Sequence, residues 1–302
     1  EFVGERHLAD EQIASIRRWA DEGVAEGDPA LLPPLPTWSG SWELGAPDLI
    51  LEMPPYVLRA GGDDMYRNFV IPIPTSVTRY IKAWQFLPGN PRVVHHATMQ
   101  FDATGRSRQL DAADTDPGYE GLIAHSVQGP DGYFLDWGPG HSPYVAPDGM
   151  AWPLPKSTDL VMMLHLKPGG RPEPVQARVG LYFSQRPPSR IPTLVRLTRQ
   201  HLDIPAGAKR YQVTDSFRLD VGVDVYTVQP HAHYLAREAT GFAILPDGTR
   251  KSLIDIRAWD FNWQGVYRYA SPLFLPAGST ITMEYVYDNS ADNPSNPSVP
   301  PR

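Results

Sequence analysis

From Trp38 onward, short apolar, β-branched and aromatic runs alternate with Gly, Pro, Asn and Asp turn signals. That rhythm predicts antiparallel strands. Asn68-Phe-Val-Ile-Pro-Ile, Thr78-Arg-Tyr-Ile-Lys-Ala-Trp-Gln-Phe and the stretch from Val93 to Phe101 belong to a first series. After Arg186-Pro-Pro-Ser-Arg-Ile-Pro a second series begins, with Tyr211-Gln-Val, Val223-Asp-Val-Tyr-Thr-Val, Gly241-Phe-Ala-Ile-Leu and Ser279-Thr-Ile-Thr-Met-Glu-Tyr-Val-Tyr. Pro246-Asp-Gly, between two such runs, predicts a hairpin turn. Helical spacing occurs in Leu8 to Glu22, where Ile13, Ile16 and Ala20 recur on one face with Trp19 beside them and acids near the start. Glu26-Gly-Asp-Pro and Leu31-Leu-Pro-Pro-Leu-Pro then read as a stiff, extended connector. The pattern predicts an all-β chain: a helix and Pro-rich linker at 1–37, a β-sandwich at 38–190 and a second at 191–302.

Composition supports that class and removes several functions. Thirty-three prolines and 25 glycines, spread along the 302 residues, exclude long helices over most of the chain. Hydrophobic residues at 41%, with 14 Tyr, ten Phe and eight Trp, require a packed core. A net charge of -7 offers no basic face for a phosphate backbone, so no nucleic-acid partner is expected. No window is apolar enough to span a bilayer, and residues 1–20 lack the apolar centre of a signal peptide. Because the chain opens with Glu1, a mature or excised piece is expected, with any leader already gone. Cysteine is absent, which excludes thiol catalysis, disulfides and thiolate metal sites. Any metal must therefore sit on His, Met or carboxylate.

Five of the nine histidines stand in three distinctive contexts: Val94-His95-His96-Ala, Leu164-His165-Leu and Pro230-His231-Ala-His233. In a strand, residues two apart share a face, so His231 and His233 can converge on one ion. Adjacent His95 and His96 would face opposite ways in a regular strand, so sharing an ion requires a strand end, a bulge or different ring nitrogens. His165 is the candidate third ligand for that site. His7, His125, His141 and His201 carry no such pattern and read as ordinary core or surface residues. Imidazole suits zinc, copper, iron and nickel alike, and the absence of a carboxylate within these motifs disfavours a two-His-one-carboxylate iron site. Copper and zinc remain.

In this order the motifs resemble those of the type II, ascorbate-dependent copper monooxygenases, typified by the peptidylglycine α-hydroxylating and dopamine β-hydroxylating enzymes, and more closely their bacterial branch. The resemblance runs over about residues 38–302. Its marks are His95-His96 and His165 on a first domain, then His231-Ala-His233 on a second, with Trp137-Gly-Pro-Gly, Pro147-Asp-Gly-Met and the Asp-Asn-rich run after Tyr287 in support. It implies two jelly-roll-like domains with copper sites facing each other across the cleft between them. It implies two coppers per chain, one on His95, His96 and His165 that passes electrons and one on His231 and His233 that binds dioxygen. It further implies ascorbate or a haem protein as reductant, C–H hydroxylation of a small organic substrate, and a periplasmic or secreted bacterial protein.

Two features depart from the family pattern. The family's third ligand to the oxygen-binding copper is a methionine that here would fall beyond Arg302, in a missing or truncated final strand; Met283 lies too early and reads as core. Gln229 stands where the peptide-processing members place a carboxylate-reading arginine, which disfavours a C-terminal peptide substrate. Leu8 to Gly23 also resembles the closing helix of small c-type cytochromes, though without Cys-x-x-Cys-His, so an upstream cytochrome c domain is an expected electron donor. The alternatives are a non-catalytic copper-binding or electron-transfer protein and a binding double sandwich with incidental histidines.

Overall fold

The computed structural model describes residues 2–3, 8–34, 42–121, 123, 135–190, 192–199, 201–261, 263 and 265–302. The chain divides into two compact units, Trp38–Arg196 on one side and Glu1–Thr37 with Leu197–Arg302 on the other. Helix α1 (Asp10–Asp21) opens the chain, and the Gln12 side chain accepts from the Ala9 N–H at 2.8 Å at its start. None of its residues is buried.

In the unit Trp38–Arg196 the strands run β1 (Leu49–Glu52), β2 (Tyr56–Leu58), β3 (Met65–Pro72), β4 (Arg79–Leu87) and β5 (Val94–Asp102). Helix α2 (Arg106–Asp111) follows, then β6 (Tyr119–Glu120), β7 (Leu135–Trp137), β8 (Tyr144–Val145) and β9 (Trp152–Leu154). The unit closes with β10 (Asp159–Leu166), β11 (Glu173–Val175) and β12 (Arg178–Phe183). One sheet has the order β1-β12-β4-β8 with β9 also on β4, the other β6-β3-β10-β5-β7, and the named pairings are all antiparallel. Their inner faces meet in one core: Leu51, Ile81, Trp84, Phe86, Val179 and Leu181 from the first, Phe69, Ala97, Met99, Leu160, Met162 and Leu164 from the second. This is an antiparallel β-sandwich, with alternate residues inward as strand geometry requires.

Strand β10 is buried along its whole length, Asp159 and His165 included. Leu160, Met162, Leu164 and Leu166 point into the sandwich. The intervening Val161, Met163 and His165 therefore occupy the opposite face of the sheet. Register places Tyr66 of β3 and His96 of β5 on either side of His165. A cross-strand row Tyr66–His165–His96 is thus written into the pairing.

The second unit holds β13 (Tyr211–Arg218), β14 (Val223–Val228), β15 (Ala236–Ile244), β16 (Arg250–Ile256), β17 (Tyr267–Leu275) and β18 (Thr280–Tyr287). A four-stranded sheet of order β13-β18-β15-β16 is accompanied by the pair β14-β17. The turn at Pro246-Asp-Gly closes β15 on β16 with Leu245 N–H to Thr249 O at 2.9 Å, and Gly248 adopts φ 85°. Two smaller cores serve this unit, one around Ala232, Ala236, Ala239, Trp259 and Tyr285, the other around Leu219, Ala243 and Leu275. The chain's start joins it: Val3 N–H donates to Arg268 O at 2.7 Å, and Phe2 stacks on Tyr269 with ring centroids 5.1 Å apart.

Strand β3 is approached closely by a glycine. Gly118 has φ 80°, and a Cβ there would sit 2.4 Å from Asn68 O. Gly118→Ala is expected to destabilise the unit by about 2–3 kcal/mol, because both the left-handed backbone and the overlap with β3 must be relieved. Chemical denaturation of this variant checks it, and a loss below about 0.5 kcal/mol would show that β3 can shift freely.

Candidate metal centre

His96 and His165 share a face because they are paired across β5 and β10. His95 joins them through a bulge. The register runs His165 opposite His96 but Leu166 opposite Val94, so His95 is the extra residue on its strand. A bulge of this kind turns a side chain that would otherwise enter the core toward the other face. Leu166 and Val94, on either side of the slip, keep their places in the core.

The result is a triangle of like atoms. His95 Nδ1 lies 3.2 Å from His96 Nδ1 and 3.2 Å from His165 Nδ1, and the last two are 3.3 Å apart. A point at the centre is about 1.9 Å from each nitrogen, against about 2.0–2.1 Å for a metal–imidazole bond. The three nitrogens together could hold one ion. Without a cation the arrangement is unfavourable: one pair of rings can share an N–H···N bond, but the third nitrogen then faces a lone pair or a proton at short range. Among the described residues this is the one group of three or more His, Cys, Asp or Glu arranged to hold a metal.

The surroundings keep the nitrogens free to ligate. His165 Nε2 is 2.8 Å from Asp64 Oδ2, and since a carboxylate oxygen accepts, Nε2 carries the proton and Nδ1 keeps its lone pair. Tyr66 stacks on His165 with centroids 4.3 Å apart and planes 14° from parallel. Burial lowers the His165 pKa below the usual imidazole range, with the Asp64 hydrogen bond opposing. Burial also lowers His95, Lys167 adds to the shift and Asp64 opposes it. Neutral rings are the form that binds metal.

His231 and His233 lie beside strands, in the segment between β14 and β15, and not on a strand themselves. The two-residue alternation nevertheless holds: both are exposed while Ala232 between them is buried in the core cluster. Their ring centroids are 5.2 Å apart. The buried Tyr285 hydroxyl accepts from the His231 N–H at 2.9 Å and pins the segment to β18; burial pushes Tyr285 up to about 12. Among the described residues no third His, Asp or Glu completes this pair. Met283 packs against the cluster beneath it as a core residue. Phe261 meets His233 edge-on at 5.7 Å and Tyr234 at 4.2 Å.

No family model matches the chain, and no curated protein matches it. The site therefore stands on its geometry.

The remaining histidines behave differently. His141 is half-buried and its Nδ1 accepts from the Gly138 N–H at 3.2 Å, closing the turn of Trp137-Gly-Pro-Gly; burial lowers its pKa. His201 is exposed. His7 and His125 lie outside the described residues. Pro147-Asp-Gly-Met forms a tight turn, with Met150 N–H to Pro147 O at 3.0 Å. The Asn-rich run after Tyr287 is a hydrogen-bonded structural element: the Asn289 amide donates to Ile204 O and Arg302 O, each at 2.8 Å. Asp64, Tyr66 and Tyr285 escape a reading of the sequence alone, because each acts through register or tertiary contact and none stands in a motif.

Proposed function

We propose that this chain is the core of a copper-dependent monooxygenase that hydroxylates a C–H bond of a small organic molecule with dioxygen and an external one-electron donor. The observation that carries the reading is the convergence of three Nδ1 atoms within 3.2–3.3 Å of one another. A second imidazole pair in the other unit, with no thiolate anywhere in the chain, supports two separate nitrogen-rich sites. When bound, copper cycling between Cu(I) and Cu(II) supplies electron transfer at the first site and dioxygen activation at the second.

The protein's own part is placement. His95, His96 and His165 offer three imidazole donors to one ion, a nitrogen set that suits copper passing electrons. His231 and His233 present two exposed rings on a segment fixed by Tyr285. Tyr234 and Phe261 put apolar ring surface beside them, which suits an uncharged organic substrate better than a carboxylate. Gln229 fits the same preference, since it offers no cation for a peptide terminus. Ascorbate, or a cytochrome c domain ahead of α1, would be the electron source, in a periplasmic or secreted setting.

Copper loading of the full chain, followed by elemental analysis, is expected to give two ions per chain. Ascorbate-driven oxygen consumption is then expected to depend on an added organic substrate. One bound ion that cycles redox state without substrate-dependent oxygen uptake would favour an electron-transfer protein. A chain that takes up zinc and refuses copper would overturn the reading.

A further inference from the structure

Asp64 holds the His165 ring on the side away from the triangle. Its Oδ2 accepts from the Nε2–H at 2.8 Å, while Nδ1 of the same ring meets His95 and His96. A neutral imidazole has one proton to place, so an acceptor at Nε2 selects the tautomer that can donate through Nδ1. Ring rotation is blocked as well, because Tyr66 stacks flat on His165 and belongs to the same strand row. Asp64 ends the turn between β2 and β3, which is tied down just before it: Gly170 N–H donates to Ala60 O at 2.8 Å and the Arg59 guanidinium donates to Asp63 O at 3.1 Å.

We propose that Asp64 is a positioning residue that keeps His165 in its Nδ1-donating form and biases the ion at the triangle toward its higher oxidation state; this rests on the copper reading above. A carboxylate on Nε2–H pulls that proton and makes Nδ1 a stronger donor. It also places a negative charge one ring away from the ion. Both effects favour Cu(II) over Cu(I). Asp64 thus lowers the potential of the triangle and makes it a ready source of electrons once reduced. Outer partners of this type are worth about 10- to 100-fold in metal affinity.

Two substitutions separate orientation from charge. Asp64→Asn keeps a hydrogen-bond acceptor and removes the charge, whereas Asp64→Ala removes both. Competition titrations of the full chain with Cu(I) and Cu(II), together with the midpoint potential of the triangle, are the readouts. Asp64→Asn is expected to lose about tenfold of Cu(II) affinity relative to Cu(I), which for one electron is an upward shift of about 59 mV. Asp64→Ala is expected to lose up to about 100-fold for Cu(II) and to weaken Cu(I) as well. Asp64→Glu is expected to restore most of the potential. Without metal, the nitrogen-15 spectrum of His165 is expected to show the proton on Nε2 in the wild type and a tautomer mixture in Asp64→Ala. Asp64 is exposed in a turn, so circular dichroism of the variants is expected to match the wild type.

Wild-type affinities and potential retained in both Asn and Ala variants would overturn this proposal while leaving the copper reading intact. A wild-type chain that takes no copper would overturn the copper reading together with the redox role given to Asp64.

Discussion

His165→Ala is expected to empty the triangle. Three imidazoles would share the ion, and structural zinc in four-ligand sites binds with about 10–16 kcal/mol, or about 2.5–4 kcal/mol per ligand. Losing one ligand should therefore cost roughly two to three orders of magnitude in affinity. His165 is 1% exposed and bonded to Asp64, so the change also leaves a small cavity and an acceptor without its donor. Those losses come to about 1–3 kcal/mol of stability, enough to lower the melting temperature but not to unfold a sandwich with so many buried apolar residues. His95→Ala and His96→Ala test the same triangle with less burial at stake, since both rings are only half-buried. Elemental analysis after copper loading should fall from two ions to one in each variant, with the remaining ion on His231 and His233. Three variants that all keep two ions would remove the triangle from the mechanism.

The strand pattern was readable because β-sandwich strands alternate visibly between inward and outward residues. Val93 to Phe101 is β5 to within a residue at each end, and Ser279 to Tyr287 is β18 to within one. The helix at α1 followed from spacing alone. The convergence of His95 and His96 was only half readable. Adjacency on a strand demands an irregularity, and the bulge supplies it at His95 itself, but which partner the bulge faces depends on the pairing with β10. No local signal fixes that register. The same holds for Asp64 and Tyr66, which reach His165 only because β3 lies on the other side of β10. His231 and His233 show the opposite case. Period-two alternation gives their common face, with Ala232 buried between two exposed rings, in a segment that Tyr285 holds and that forms no strand. Pro230 just before the pair removes a backbone donor and disfavours a ladder at that point.

His231→Ala and His233→Ala are expected to give the cleanest loss of function with the least loss of fold. Both side chains are exposed, and the His231 backbone N–H and the buried Ala232 tie the segment to the core whatever the rings at 231 and 233 touch. Stability should stay within about 0.5 kcal/mol of the wild type, and circular dichroism should be unchanged. The pair has two imidazoles to offer, so removing either leaves one, too little to retain an ion against buffer and water. Substrate-dependent oxygen uptake should fall to background. The triangle should keep its copper and still be reduced by ascorbate, visible as loss of the Cu(II) resonance signal. That asymmetry separates the monooxygenase from the electron-transfer alternative. In an electron-transfer protein the pair is dispensable, and His231→Ala would leave redox cycling and every measured rate as they were. Loss of copper from the triangle in His231→Ala would contradict two independent sites, because no backbone element carrying His95, His96 or His165 is shared with the segment that carries the pair.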